Sequence, residues 1–178
     1  KYVPQCTYGF IRPEITCGQL EQNSAAIGAG LHSKGFAKGT RVAIMMPNVL
    51  QYPVAMAGVL RAGYTVVNVN PLYTPRELEH QLKDSGAEAI FILENFATTL
   101  QQVIDKVPTK TVVVCAMGDM LPFPKSLIVN FVVRNVKKMV PEFSLPNARR
   151  WNDVLADGMK MNLKQVECSH SDVAFLQY

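Results

Sequence analysis

Four short apolar runs recur along the chain at nearly constant spacing: RVAIMM from Arg41, TVVNVN from Thr65, AEAIFIL from Ala87 and KTVVVC from Lys110. Their starts lie about 22 to 24 residues apart, room for one helix and two tight connections between each pair. That spacing fits a βαβ unit repeated, so the chain is expected to fold as an α/β domain: a mainly parallel sheet flanked by helices.

The segments between the runs carry helix boundaries. In TPRELEHQL, Thr74 is placed as N-cap, Pro75 at the first helical position and Glu77 at the third, a capping box that ends at Gly86. Thr16 and Gln19 form a second candidate box, opening an amphipathic helix with Leu20, Ile27 and Leu31 inward and Gly35 as its stop. VLQYPVAMAGVLRA is apolar almost all round, as a helix buried on a sheet would be, with Pro53 in its first turn or kinking it. Residues 96–107 place Phe96, Leu100, Val103, Ile104 and Val107 on one helical face. A basic amphipathic region is expected over about 117–150, with a helix over 126–140 whose polar residues Asn130, Arg134, Lys137 and Lys138 form one stripe. A short helix is placed at 152–158. The terminal SDVAFLQY looks like a buried strand with nothing after it, over 172–178.

At 178 residues and 18% charged side chains, the chain has the make-up of one ordinary globular domain or part of one. The net charge of +4 is modest and its excess is local, which argues against a nucleic-acid-binding face. Cys6, Cys17, Cys115 and Cys168 lack zinc-site spacing and are expected as free thiols in a reducing cytosol. No apolar run reaches the length of a membrane span. The missing initiator Met and the unfinished terminal strand suggest a fragment.

Few motifs carry chemistry. GAGLHSKG has Ser33 where a dinucleotide fingerprint needs its third glycine, and it lies within and at the end of a helix, so it reads as helix packing and a stop. His32, His80 and His170 stand far apart with no nucleophile or metal partner at motif spacing. No catalytic or metal-binding residue is assigned. The stripe of Arg134, Lys137 and Lys138 suits contact with anionic lipid headgroups, but a mostly apolar helix is more often one packed on the domain or a subunit with its lysines in water.

Taken together, GTRVAIMMPNVLQYPVAMAGVLRAG, VVNVNPLYTPRELEHQLKDSGAEAIF and DVAFLQY resemble the N-terminal region of the adenylate-forming acyl-CoA synthetases, most of all the bacterial long-chain fatty-acid–CoA ligases. The resemblance implies an enzyme using ATP, Mg²⁺, CoA and a long-chain fatty acid, and a homodimer; the cytoplasmic location is expected from the free thiols, and peripheral contact with the inner face of the membrane from the stripe of Asn130, Arg134, Lys137 and Lys138. It also implies that a Thr/Gly-rich loop holding the ATP phosphates follows Tyr178, which makes Tyr178 the leading edge of that loop and the one ATP-site residue assigned here. The chain alone is then expected to be inactive. Pro47, Asn48, Asn70, Pro71, Tyr73 and Thr74 fall at the carboxyl ends of strands, where open α/β sheets bind ligands, although turn and capping roles account for them. Two alternatives stay open: a ligase for another carboxylic acid, and a non-catalytic module that docks on a membrane or partner.

Overall fold

The computed structural model describes residues 7–9 and 14–178. Cys6 lies outside them. A small antiparallel pair, β1 (Thr7–Gly9) and β2 (Glu14–Thr16), leads into α1 (Cys17–His32). The main sheet comprises β3 (Arg41–Met45), β4 (Thr65–Asn68), β5 (Ala89–Leu93), β6 (Thr111–Cys115), β7 (Arg149–Arg150) and β8 (Phe175–Leu176), in the spatial order β7-β6-β5-β3-β4-β8. Every neighbouring pair in it is parallel.

Both faces of this sheet are covered, so its central strands are apolar at successive positions instead of alternating with polar ones. Val42, Ile44, Val66, Phe91, Val113 and Cys115 pack toward α1, α2 (Gln51–Arg61) and α6 (Trp151–Gly158). Their neighbours Ala43, Met45, Val67, Ile90, Ile92, Val112 and Val114 pack on the other side, against Leu78 and Leu82 of α3 (Pro75–Ser85) and Leu100 of α4 (Ala97–Gln101). The capping boxes at Thr16 and Thr74 both form, with Gln19 and Glu77 as reciprocal partners. Pro53 sits in the first turn of α2. Gly86 closes α3 at φ +64°, a conformation that side-chain-bearing residues rarely adopt.

The GAGLHSKG segment is helix packing. A Cβ on Gly28 would lie 3.0 Å from the Gly58 carbonyl oxygen, and one on Gly158 would overlap the backbone of Ala26, so α1, α2 and α6 approach at bare glycines.

Three elements differ from expectation. Residues 96–107 do not form one helix; α4 spans five residues between two 3₁₀ turns, Glu94–Phe96 and Ile104–Lys106. No side chain caps these pieces, and β-branched Thr98, Thr99, Val103 and Ile104 lower the propensity, yet Leu100 and Val103 are buried as the pattern requires. The terminal strand is two residues long, with Phe175 exposed and Leu176 half-buried against the core, because β8 is the sheet edge and has a neighbour only on the β4 side.

The helix expected over 126–140 is α5 (Lys125–Phe131) followed by a π-helical turn, Val132–Val136, in which the Lys137 N–H donates to the Val132 carbonyl at 2.8 Å. Lys138, at φ +48°, lies beyond its end. The extra residue in this turn accompanies a burial of Val133 and brings Arg134 to the end of β5.

Candidate functional site

In an open parallel sheet the carboxyl ends of the strands face one edge, and ligands bind there. Asn68 ends β4 on this edge and is its main junction. Its Oδ1 accepts the Tyr52 hydroxyl from α2 at 2.9 Å, its Nδ2 donates to Gln177 Oε1 at 2.9 Å, and its carbonyl accepts Gln81 Nε2 from α3 at 2.8 Å. One residue thus ties α2 and the segment after β8 through its side-chain amide, and α3 through its backbone carbonyl. Sequence reasoning did not single out Asn68, although an amide closing the apolar run TVV was a visible signal.

Tyr178 follows Gln177 at this edge and is half-exposed; its hydroxyl donates to Asp84 Oδ2 at 2.6 Å. That hydrogen bond to a carboxylate pushes the phenol up to about 12. Asn70 and Tyr73 form a turn: Asn70 Oδ1 accepts the Leu72 N–H at 3.0 Å and the Asn70 carbonyl accepts the Tyr73 N–H at 3.1 Å. Thr74 then caps α3, and hydrogen bonds from the Thr74 backbone and hydroxyl hold the Glu77 carboxyl below the ordinary range. Pro47 and Asn48 are exposed after β3. Turn and cap geometry accounts for Asn70, Tyr73 and Thr74, and the Pro47 carbonyl accepts the Val49 N–H at 2.7 Å in a turn of its own.

At the end of β5, Glu94 is 2% exposed and receives two arginines. Arg134 donates through Nε to Oε1 and through Nη2 to Oε2, each at 2.8 Å, and Arg150 Nη1 donates to Oε2 at 3.1 Å. The fork-on-carboxylate geometry suits arginine and raises the Arg134 guanidinium above its ordinary value, mainly through the bond to Glu94. At the end of β6, Asn130 Oδ1 accepts the Gly118 N–H at 2.7 Å, and Asp119 accepts the Ala116 N–H at 2.7 Å and Asn130 Nδ2 at 3.4 Å. Burial pushes the Asp119 carboxyl up, and burial also raises the Cys115 thiol well above its ordinary range.

The stripe expected along one helix is therefore divided. Asn130 and Arg134 turn toward the domain and bind it, while Lys137 and Lys138 stay exposed past the π-helical turn. The apolar residues Leu127, Ile128 and Phe131 are the ones facing solvent.

His32 Nε2 lies 3.0 Å from the Ala62 carbonyl and its ring meets Tyr64 edge-on; His80 and His170 are exposed. Among the described residues no group of three or more His, Cys, Asp or Glu is placed to hold a metal ion. The carboxyl edge offers amides, hydroxyls and a fixed frame.

A profile of the AMP-binding enzyme family matches residues 6–178. The chain is similar over its full length, at 50% identity, to a long-chain-fatty-acid–CoA ligase of Escherichia coli O6:H1, of which it covers 32%. It is 51% identical over 92% of its length to a protein of the same description from Haemophilus influenzae, covering 29% of that protein. Its fold matches a solved long-chain-fatty-acid-CoA ligase from Archaeoglobus fulgidus with a TM-score of 0.68, at 21% identity, over 96% of this chain and 29% of the other. The chain thus spans about a third of the length of the curated relatives it matches.

Proposed function

The chain belongs to the AMP-binding enzyme family, and from that premise we propose that the protein carrying it is a long-chain-fatty-acid–CoA ligase. The observation that supports this is 50% identity sustained over the whole chain to a relative of that description, covering 32% of the relative.

The reaction has two steps. A fatty-acid carboxylate oxygen attacks the α-phosphorus of ATP; the new O–P bond forms as the bond to pyrophosphate breaks, giving acyl-AMP. The CoA sulfur then attacks the acyl carbon, the thiol proton is released, and AMP leaves with the bonding pair. Adenylation turns a carboxylate oxygen, a poor leaving group, into the bridging oxygen of a mixed carboxylic–phosphoric anhydride, from which AMP departs readily. Mg²⁺ would accompany ATP and offset the phosphate charge. Among the described residues no group of three or more His, Cys, Asp or Glu is placed to hold it.

The role proposed for this chain is to build the frame of the nucleotide site. Asn68 and Gln177 fix the direction of the segment after β8, and Tyr178 is the residue from which a phosphate-holding loop would start. The 1–178 chain alone is expected to be inactive, since it supplies this edge without the remaining length of its relatives. The protein is proposed to work in the cytoplasm as a homodimer, in peripheral contact with the anionic inner face of the membrane. The ligase reading is tested by incubating the intact gene product with Mg·ATP and CoA and a panel of acids. Oleate should drive AMP release faster than octanoate or benzoate. AMP release with aryl acids and none with oleate would move the proposal to a ligase for another acid; none with any acid would favour a docking module.

A further inference from the structure

The segment from Phe123 to Met139 shows an unusual surface. Leu127, Ile128 and Phe131 share one face of α5 at spacings of three and four residues and are 61%, 57% and 60% exposed. Phe123, four residues before Leu127, is 81% exposed, and Val136 beyond Phe131 is 65% exposed. A single exposed leucine needs no explanation; a contiguous row of this size is an interaction surface.

The opposite side of the segment is already fixed. Arg134 is forked onto buried Glu94, Asn130 holds the Gly118 N–H, and Val133 is buried, so the segment cannot roll its apolar row inward without breaking these bonds. Charge selects the occupant. No acidic residue occurs between Asp119 and Glu142, and the exposed Lys125, Lys137 and Lys138 that border the row have no ion pair among the described residues. A cationic border around an inserted apolar face matches an anionic bilayer surface, whereas lysines are depleted in protein–protein interfaces.

We propose that Phe123, Leu127, Ile128 and Phe131 insert into the headgroup region of an anionic phospholipid bilayer, with Lys125, Lys137 and Lys138 on the headgroups and Arg134 withheld from lipid by Glu94. This rests on the membrane reading above and assigns it a surface, with a set of contacts different from the stripe expected from sequence. No helix among the described residues is long and apolar enough to cross a bilayer.

The test is flotation of the intact gene product with vesicles of phosphatidylcholine alone, or of phosphatidylcholine with phosphatidylglycerol. Wild type should float with the anionic vesicles far better than with neutral ones. Each basic side chain near an anionic surface contributes roughly a fivefold in partitioning, so Lys137→Glu/Lys138→Glu should lower recovery by about 25-fold or more. Leu127→Gln/Phe131→Gln should also abolish binding, while Met161→Gln, which changes an exposed apolar residue elsewhere, should leave it intact. Unchanged melting temperatures would confirm that the exposed substitutions spare the fold. If wild type and both double variants float equally, the membrane reading stands and this surface is wrong. If wild type does not float, both fail, with AMP release from a water-soluble acid still reporting separately on the ligase reading.

Discussion

Gly58 on α2 tests whether the contact between α1 and α2 requires the absence of a side chain. A Cβ there would lie 2.8 Å from Ile27 Cγ2, 2.9 Å from Ile27 Cβ and 3.0 Å from the Ser24 carbonyl oxygen. Ile27 is fully buried and Ser24 Oγ and its backbone belong to a helix, so neither can yield without the helices separating. In a helix interior, Gly→Ala is worth about 0.5–1 kcal/mol of stabilisation from propensity alone. Overpacking of a closed contact costs about 1–3 kcal/mol. Gly58→Ala should therefore give a net destabilisation of up to about 2.5 kcal/mol, with about 1 kcal/mol as the central value. Gly18→Ala is the matched control: it lies in α1 with nothing within 4 Å of the added Cβ, and it should be neutral or stabilising by up to about 1 kcal/mol. Urea denaturation of the 1–178 chain, followed by fluorescence of its single tryptophan, measures both. Trp151 is fully buried, meets Phe91 edge-on at 5.9 Å, and shares the core cluster of Ile27. Equal stabilisation by Gly58→Ala and Gly18→Ala would refute the claim that glycine is required for close approach.

Thr74→Ala should cost about 1 kcal/mol through loss of the α3 cap, with Thr74→Ser close to wild type, both read from denaturation midpoints. Arg134→Gln leaves the buried Glu94 with Arg150 alone; because Arg134 is itself 41% exposed, the cost should be about 2 kcal/mol, less than for a fully buried pair. Adding Glu94→Gln should recover part of that loss, and a double-mutant cycle giving simple additivity would contradict the coupling. Asp119 has its folded-state pKa raised by burial, so the native state holds its proton more tightly than the unfolded chain. Its contribution is present below the unfolded value and lost as pH rises through the raised one. The stability of wild type relative to Asp119→Asn should therefore increase as pH falls from neutral into the carboxylate range, and a decrease would contradict the assignment.

The parts of the fold legible in the sequence were those written in local chemistry. The regular spacing of apolar runs placed β3 to β6, and the pairs Thr16–Gln19 and Thr74–Glu77 marked two helix starts that the structure reproduces with both reciprocal bonds. What tertiary partners decide was harder to read. The polarity of residues 126–140 was visible, but its direction depends on Glu94, which lies 40 residues from Arg134 in sequence. With that carboxylate buried at the end of β5, the polar side of the segment turns inward and its apolar side outward. Likewise DVAFLQY resembled a buried strand because of its apolar stretch; at the edge of the sheet, beside β4 only, just Leu176 of it is half-buried and the rest is exposed. Tyr178 could be placed by resemblance, whereas the Asn68 junction that orients the residue before it emerged only from the assembled edge.

The most direct measurement follows one oxygen atom. The intact gene product is given oleate labelled with heavy oxygen in its carboxylate, together with Mg·ATP and CoA, and the AMP formed is weighed by mass spectrometry. Attack of the carboxylate on the α-phosphorus, followed by thiol displacement, leaves one labelled oxygen in AMP and none in the released pyrophosphate. Label appearing in AMP, dependent on both ATP and oleate, is the result predicted for a fatty-acid–CoA ligase built on this nucleotide-site frame. Unlabelled AMP, or no AMP at all, would contradict it.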